Sequence, residues 1–222
     1  QQKGVRFLYE TNVGAGLPVI NTLNDLLLSG DNVIRIEAVL SGTLNFIFSS
    51  YTQGKNFSEV VAEAKSKGYT EPDPRDDLSG TDVARKILIL AREAGIALEL
   101  SDIEVENLVP EDCRTEMGVS NFLTKLKDHD TYFENLLRTV ENKGEKLRYQ
   151  AILENGKASV RLGTVSSSHP FYSLSGSDNI ILLTTERYHE RPMVIRGPGA
   201  GAAVTAAGVF ADIIRIGNYS NY

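Results

Sequence analysis

The chain has 222 residues, of which 41% are hydrophobic and 23% are charged, a composition typical of a globular protein that can bury a core. Its 29 acidic residues outnumber its 23 lysines and arginines, which argues against nucleic acid as a partner. No segment has the roughly 18 continuous apolar residues of a membrane helix and no secretory pattern opens the sequence, so we expect no membrane partner.

Cysteine and histidine usage indicates the compartment. The single Cys113 cannot form a disulfide within the chain, and none of the three histidines lies near it in sequence, so the spacing of a zinc site is absent. This favours a reducing, cytoplasmic compartment. The sequence starts at Gln1 without a methionine and reaches a patterned segment at residues 5–9 almost at once, so we expect a piece of a longer protein.

The first predicted elements are a strand, a turn, a helix and a second strand. Residues 5–9 predict a short strand, and the glycine-rich turn at residues 14–18 leads into a helix with Pro18 in its first position. Gly30 lies where that helix would end in the left-handed conformation. Residues 33–40 alternate in polarity, as a half-buried strand does.

Two helices and an unusual loop are predicted next. Ser41 can cap a helix that carries Leu44, and a second helix covers residues 58–67 and stops at Gly68. Residues 69–80 combine two prolines with five charged residues. This composition predicts an exposed or site-forming loop without a helix.

The second half of the chain mixes helices and strands. Residues 81–94 predict a buried helix because they are apolar on nearly every side, and residues 121–142 predict one polar helix with an apolar face. Asn155-Gly156 between two alternating segments predicts a β-hairpin. Residues 180–185 and 193–196 predict further strands. The order of elements predicts a mixed β-sheet covered by helices, an α/β domain of α+β-like organisation.

Asp82 and Lys86 are the leading candidates for chemistry. They lie four residues apart on an otherwise apolar helix, so they share one face. A carboxylate there can orient a lysine that is partly removed from water, which suits acid–base catalysis. The alternative is an ordinary stabilising pair, with Ser79 and Asp82 forming a helix-capping box. Because such pairs are frequent on helices, spacing alone favours the stabilising pair.

The loop of residues 69–80 offers further carboxylates. Glu71 beside a proline could bind a substrate ammonium group, because rigid flanking residues hold a carboxylate at low entropic cost. The alternative is a solvated loop charge. Asp73, Asp76 and Asp77 do not follow the spacing of a calcium loop, so we expect no divalent metal there.

Two glycine-rich turns and a histidine are weaker candidates. Residues 197–202 fit a dinucleotide-binding turn, but only about 20 residues follow, too few for the ~30-residue βαβ unit that such a turn serves. These glycines could meet a phosphate or a nicotinamide ribose, or could only permit close backbone approach. Glu10 and the turn after it could hold a hard cation, or could be a structural turn with one surface acid. His169 is expected to be structural or to line the site.

Seven motifs together resemble those of the homoserine dehydrogenase family. They are residues 9–18 (YETNVGAGLP), 41–44 (SGTL), 68–80 (GYTEPDPRDDLSG), 82–86 (DVARK), 168–171 (SHPF), 199–201 (GAG) and 204–208 (VTAAG). The acidic stretch is highly specific, and the similarity spans essentially the whole chain. The first two motifs are most similar to enzymes fused to an N-terminal aspartate kinase.

The resemblance implies roles for individual residues. Lys86 would transfer the proton in the interconversion of aspartate semialdehyde and homoserine, while Glu71, Asp82 and Thr43 would bind the amino acid. This implication reverses the preference for a merely stabilising pair of Asp82 and Lys86. Gly68 would touch the nicotinamide nucleotide, NADP or NAD.

Two further sites follow from the same resemblance. Gly201 would also touch the nucleotide. A monovalent cation, sodium or potassium, would be bound by Glu10 and the backbone carbonyls of Val13, Ala15 and Leu17.

The resemblance also implies an assembly. Residues 1–9 would end a nucleotide-binding domain, residues 10–196 would form the catalytic and dimerisation domain, and residues 197–222 would form a helix that packs on the nucleotide-binding domain. Most of that Rossmann domain, and an aspartate kinase domain, would lie elsewhere in the full protein, which would form a homodimer through the catalytic domain. The fragment alone is expected to be nearly inactive. The alternative is a non-catalytic dimerisation or small-molecule-binding module of the same fold.

If the Rossmann domain is missing, the last helix should expose its apolar side chains. These are Val204, Val209, Phe210, Ile213 and Ile214.

Overall fold

The computed structural model describes residues 5–219. The helices in this part of the chain are α1 (Thr11–Gly14), α2 (Val19–Leu28), α3 (Gly42–Ser50), α4 (Phe57–Ser66), α5 (Pro74–Leu78), α6 (Thr81–Glu93), α7 (Val119–Leu126), α8 (Asp130–Glu141) and α9 (Ala202–Tyr219). The strands are β1 (Val33–Val39), β2 (Glu104–Val105), β3 (Lys146–Glu154), β4 (Lys157–Val165), β5 (Asp178–Thr185) and β6 (Met193–Pro198).

The described strands form one sheet in the order β2-β4-β3-β1-β5-β6. Strands β2 and β4 pair in parallel, and the other neighbours are antiparallel. Helices α3, α6 and α8 contact this sheet, and the side chains between them form the main core. The predicted mixed sheet covered by helices is therefore confirmed.

Strand β5 shows how the two faces of the sheet are used. Ile181 and Leu183 belong to the main core, whereas Ile180 and Leu182 belong to a second cluster that includes Phe171. Successive side chains of a strand point to opposite faces, so every second residue of β5 faces the helices. Both faces of this strand are buried.

The hairpin of β3 and β4 matches its sequence signal. Asn155 and Gly156 connect the strands with φ angles of 52° and 72°, and the ladder pairs Glu154 with Lys157. Two consecutive residues with positive φ define the tight turn that follows the right-handed twist of the strands.

The prediction that residues 69–80 contain no helix is wrong. Residues Pro74–Leu78 form the short helix α5. The proline occupies its first position, where no backbone N–H is needed, and the side chain of Asp73 accepts a hydrogen bond from the Arg75 N–H at 3.0 Å. A proline and an acidic cap therefore start a helix here.

The prediction of one helix over residues 121–142 is also wrong. The chain forms α7 and α8, joined by a 3-10 turn at Lys127–His129. At the start of α8, the Asp130 carboxylate accepts hydrogen bonds from the backbone N–H and the hydroxyl of Ser58 at 2.8 and 2.6 Å. The Phe133 ring stacks on Phe57 at 3.8 Å. These contacts direct α8 toward the start of α4 and break the helix.

The two ends of the described chain match the expectations only in part. Residues 5–9 form no strand, because none of the strands described here pairs with them. In α9, the apolar residues Val209, Phe210, Ile213 and Ile214 are 45–62% exposed, as predicted. Val204 is half-buried instead, because its backbone packs on Gly16 of the turn after α1.

None of the described helices is both long enough and apolar enough to span a membrane.

We predict that Gly156→Ala lowers the free energy of unfolding by about 1 kcal/mol, because an L side chain is strained at positive φ. A Cβ at this position meets no atom within 4 Å, so the loss would be conformational and not steric. The matched control is Gly217→Ala, which also meets no atom but lies in helix α9, where alanine should stabilise. Urea denaturation of both variants measures the difference, and equal shifts would contradict this explanation.

Candidate active site

The loop of residues 69–80 and the first turns of α6 enclose a cleft of about 390 Å³, called here the acidic cleft. Its lining residues are Glu71, Asp76, Asp77, Ser79, Thr81, Asp82 and Arg85. Four carboxylates and one guanidinium give it an excess of negative charge, which suits a ligand with an ammonium group. The structure thus brings Glu71 and Asp82, both predicted to bind substrate, to one place.

Contacts from α3 and α5 hold the wall of the acidic cleft. The Thr43 hydroxyl donates to the Tyr69 carbonyl at 2.6 Å, just after Gly68, which has a φ of 74°. The Glu71 N–H donates to the Asp77 carboxylate at 2.9 Å. Burial raises the pKa of Asp77, and the hydrogen bond from Glu71 partly opposes that rise. Thr43 is buried and shapes the cleft from behind.

Helix α6 begins at a position that requires glycine. Gly80 is the N-cap with a φ of 74°, and a Cβ there would lie 1.9 Å from the hydroxyl oxygen of Tyr149. That hydroxyl donates to the Glu106 carbonyl at 2.6 Å. The N-cap residue Gly80 has no side chain to cap the helix, and among the described residues the Ser79 hydroxyl accepts only the Thr81 N–H, at 3.2 Å. The capping box of Ser79 and Asp82 is therefore not formed. Close packing on β3 sets where α6 starts.

Lys86 lies one turn along α6 from Asp82. Its ammonium is 2.7 Å from the Asp82 carboxylate and donates to the Leu40 carbonyl at 3.0 Å. The Lys86 side chain is 19% exposed, whereas that of Asp82 is 60% exposed. Because Leu40 directly follows β1, the ammonium is fixed relative to the sheet as well as to its own helix. An ordinary pair on a helix surface would lack that second contact.

The two glycines predicted to touch a nucleotide occupy different places. Gly68 directly precedes the loop that forms the acidic cleft, and its backbone is open, since a Cβ there meets no atom within 4 Å. Gly201 is exposed at the start of α9, with a φ of 122°. It is not among the residues that line the acidic cleft. Both backbones are accessible to a ligand.

Glu10 is buried, so the interpretation of it as a surface acid is wrong. Its carboxylate accepts hydrogen bonds from the backbone N–H groups of Ile20 and Asn21, at 2.7 and 2.9 Å, and from the Asn21 side chain. It therefore caps the N-terminus of α2 from outside that helix. The Glu10 N–H donates to the buried Asp212 of α9 at 3.1 Å, which ties α1 to α9.

The turn after α1, at residues 15–18, follows Glu10 closely in sequence and has several carbonyl groups. Ala15 has a φ of 51°, and the Leu17 carbonyl accepts the Val19 N–H at 2.9 Å. Among the ion pairs of residues 5–219, none includes Glu10. Glu10 is thus a buried carboxylate without an ion-pair partner among the described residues, and the carbonyls of Val13, Ala15 and Leu17 follow it in sequence. Carboxylate and carbonyl oxygens are the donors that a hard cation prefers.

His169 was expected either to be structural or to line the site, and the structure gives it a structural role. Its Nδ1 accepts the Phe171 N–H at 3.2 Å and so caps the turn at Pro170–Ser173. Its other ring nitrogen is 3.5 Å from Glu37 of β1, and this contact lowers the pKa of the Glu37 carboxyl.

The fold also brings together residues that sequence spacing left apart. Ligand atoms of Asp112, Cys113 and His129 lie within 4.8 Å of one another. However, Lys125 is 3.5 Å from the Asp112 carboxylate, and burial raises the pKa of the Cys113 thiol to about 11. The nearby ammonium and the protonated thiol make this cluster a poor cation site.

Two groups near Lys86 were not predicted from the sequence: the Leu40 carbonyl, which accepts a hydrogen bond from the ammonium, and Asn179. Asn179 is buried in β5 and donates to the same Leu40 oxygen as Lys86, at 3.3 Å. No local pattern marks a backbone carbonyl as a shared acceptor. The Asn179 side chain could be found only once β5 was placed beside β1.

A family model for homoserine dehydrogenase matches residues 18–214. The chain belongs to the homoserine dehydrogenase family. Over 215 residues it is 53% identical to bifunctional aspartokinase/homoserine dehydrogenase 1, chloroplastic, of Zea mays, covering 96% of this chain and 23% of that protein. Over 224 residues it is 46% identical to the homoserine dehydrogenase of Schizosaccharomyces pombe, covering 97% of this chain and 60% of that enzyme. The chain thus spans less than two thirds of either relative.

Solved structures agree with membership of the homoserine dehydrogenase family. A Candida auris protein of unknown function matches with a TM-score of 0.91 and 44% identity, over 95% of this chain and 60% of that chain. A hyperthermophilic archaeal homoserine dehydrogenase in complex with NADPH matches with a TM-score of 0.70 and 29% identity, over 96% of this chain and 56% of that chain. The resemblance seen in the sequence motifs is confirmed.

We predict that Glu10→Gln lowers the free energy of unfolding by about 1–2 kcal/mol. The carboxylate accepts N–H groups with both oxygens, whereas an amide would turn a donor toward one of them. Glu190→Gln is the control, because Glu190 is exposed and should tolerate the same change. Urea denaturation of the two variants compares them, and a Glu10→Gln variant as stable as the control would refute the capping role.

Proposed function

We propose that this chain is the substrate-binding part of a homoserine dehydrogenase, which interconverts aspartate semialdehyde and homoserine with NADP or NAD in the biosynthesis of threonine, methionine and isoleucine. One observation carries the proposal. The half-buried Lys86 ammonium is held by the Leu40 carbonyl and by Asp82. Asp82 lines the acidic cleft, and Lys86 reaches the cleft through this contact.

In the proposed reduction, Lys86 donates a proton to the aldehyde oxygen while hydride reaches the carbonyl carbon, so that a primary alcohol forms. In the oxidation, the neutral Lys86 amine takes the hydroxyl proton. A nicotinamide nucleotide supplies or accepts the hydride when it is bound. Glu71 binds the amino group of the substrate and Asp82 contacts the same molecule, both from the acidic cleft.

The Leu40 contact suits a lysine that changes its protonation state. A carbonyl oxygen accepts a hydrogen bond from an ammonium and from a neutral amine alike, since both carry N–H groups. The Asp82 carboxylate, in contrast, attracts mainly the charged form. The Leu40 carbonyl therefore keeps Lys86 in place throughout the proton transfer.

The cofactor and cation parts of the proposal rest on backbone groups. The open backbones of Gly68 and Gly201 would contact the nicotinamide nucleotide, and the NADPH complex of the archaeal relative supports this cofactor class. Glu10, with the carbonyls named above, would bind sodium or potassium. Its burial without a cationic side-chain partner among the described residues supports that role.

The proposed assembly places residues 10–196 in a catalytic and dimerisation domain. Residues 1–9 and 197–222 would adjoin a nucleotide-binding domain, and the exposed apolar face of α9 supports this, as do the exposed side chains of Val5 and Phe7. The Zea mays relative supports a fused aspartate kinase. We keep a cytoplasmic compartment as the proposal, on the basis of the single unpaired Cys113.

We predict that Lys86→Ala in the full-length gene product lowers kcat for homoserine oxidation by about 100-fold to 10,000-fold, because a positioned acid–base group is lost. The control is Lys125→Ala, which removes an ion-paired lysine outside the acidic cleft. Steady-state assays that follow nicotinamide absorbance measure both variants. Wild-type turnover by Lys86→Ala would refute the proposed mechanism, and loss of turnover in the control alone would do the same.

A further inference from the structure

Asn179 is fully buried in β5, and its amide shares an acceptor with Lys86. The Asn179 Nδ2 donates to the Leu40 carbonyl at 3.3 Å, and the Lys86 ammonium donates to the same oxygen at 3.0 Å. A carbonyl oxygen has two lone pairs. The two donors together use the acceptor capacity of Leu40, so neither side chain can take the other's position without displacing it.

The other end of the amide has no partner. Asn179 Oδ1 is buried and accepts no hydrogen bond in the described part of the chain. A buried acceptor without a donor costs free energy, whereas a leucine of nearly the same shape would avoid that cost. Ile181, two residues along on the same face of β5, is apolar. The fold therefore retains an asparagine at a position where an apolar residue would give higher stability. This indicates that the N–H of the amide is needed.

The glycine-rich turn that carries Gly199 packs closely against the same amide. A Cβ built on Gly199 would lie 2.0–2.4 Å from the Cγ, Nδ2 and Oδ1 atoms of Asn179. Residue 199 must therefore be glycine while Asn179 keeps its place. The amide is enclosed by Leu40 on one side and by Gly199 on the other, so its orientation is fixed.

We propose that Asn179 is a positioning residue for the Lys86 ammonium. By occupying one lone pair of the Leu40 carbonyl, its N–H restricts Lys86 to the other lone pair and so fixes the direction from which the lysine meets the substrate. The proposal rests on the proton-transfer role of Lys86 given above. It adds a residue of β5, and the turn that carries Gly199, to the groups on which that transfer depends.

The test is Asn179→Leu in the full-length gene product. We expect kcat to fall by about tenfold to a hundredfold with KM unchanged, because a small displacement of a reacting group costs rate and not binding. We expect the free energy of unfolding to stay the same or rise, because the unpartnered oxygen is removed. We also expect the Lys86 amine to react faster with acetic anhydride, as measured by mass spectrometry of the labelled peptide.

Asn45→Leu is the matched control. Asn45 is also a buried asparagine, but its Nδ2 donates to the carbonyls of Ser175, Gly176 and Asp178 at 3.0–3.4 Å. Its replacement leaves three acceptors without that donor, so we expect lower stability. Turnover per folded molecule and labelling of Lys86 should stay at the wild-type level.

Gly199→Ala supplies a second variant that acts on the amide from the other side. Its added Cβ should displace the Asn179 amide and also speed the labelling of Lys86. Wild-type labelling of Lys86 in both Asn179→Leu and Gly199→Ala would overturn the proposal. Unfolding of Asn179→Leu would also overturn it, because Asn179 would then be a structural residue.

The labelling does not depend on turnover, so the two proposals can fail separately. Wild-type turnover by Lys86→Ala would refute the proposed function while faster labelling in Asn179→Leu would still support the contact geometry. Suppose instead that Lys86 is labelled at the wild-type rate in both Asn179→Leu and Gly199→Ala, and that Lys86→Ala loses turnover. That result would refute only the role of Asn179.

Discussion

The hydrogen bond from Lys86 to the Leu40 carbonyl joins helix α6 to the end of strand β1, and the candidate site depends on this junction. The next residue, Ser41, caps α3 by accepting the Leu44 N–H at 3.1 Å. Helix α3 in turn carries Thr43, which holds the wall of the acidic cleft. One short segment therefore sets the position of the proposed proton donor and of the proposed substrate pocket.

The relative strengths of the contacts show what holds α6 in place. Each buried apolar side chain on its inner face, such as Val83, Ile87 and Leu90, contributes ~1.5–3 kcal/mol. The pair of Asp82 and Lys86 contributes ~0–1 kcal/mol, because the carboxylate is largely exposed and screened by water. Apolar burial therefore fixes the helix, and the helix presents the ion pair. An acid and a lysine four residues apart occur on many helices whose position is fixed by apolar burial. That spacing alone therefore does not indicate catalysis.

Features with local causes were predictable from the sequence, whereas those with distant partners were not. The turn at Asn155-Gly156 and the helix α6 follow from backbone preference and apolar periodicity. Helix α6 buries only one face, however, and exposes residues such as Asp82 and Arg85 on the other, so the prediction of a helix buried on nearly every side is wrong. The break before α8 depends on Asp130 meeting Ser58, and the burial of Glu10 depends on the start of α2. Family motifs identified Glu71 and Asp82 of the acidic cleft, but no motif identified the shared acceptor at the end of β1.

We propose that this chain contains a preformed site for an amino-acid substrate, although it spans only part of the length of its relatives. Calorimetric titration of homoserine into the 222-residue chain, in sodium or potassium buffer, shows whether that site binds the amino acid. Glu71→Gln provides the comparison, because it removes the negative charge proposed to meet the ammonium group. We expect the wild-type chain to bind homoserine and Glu71→Gln to lose that binding. No binding by the wild-type chain, or equal binding by both, would mean that the chain holds no preformed site of this kind.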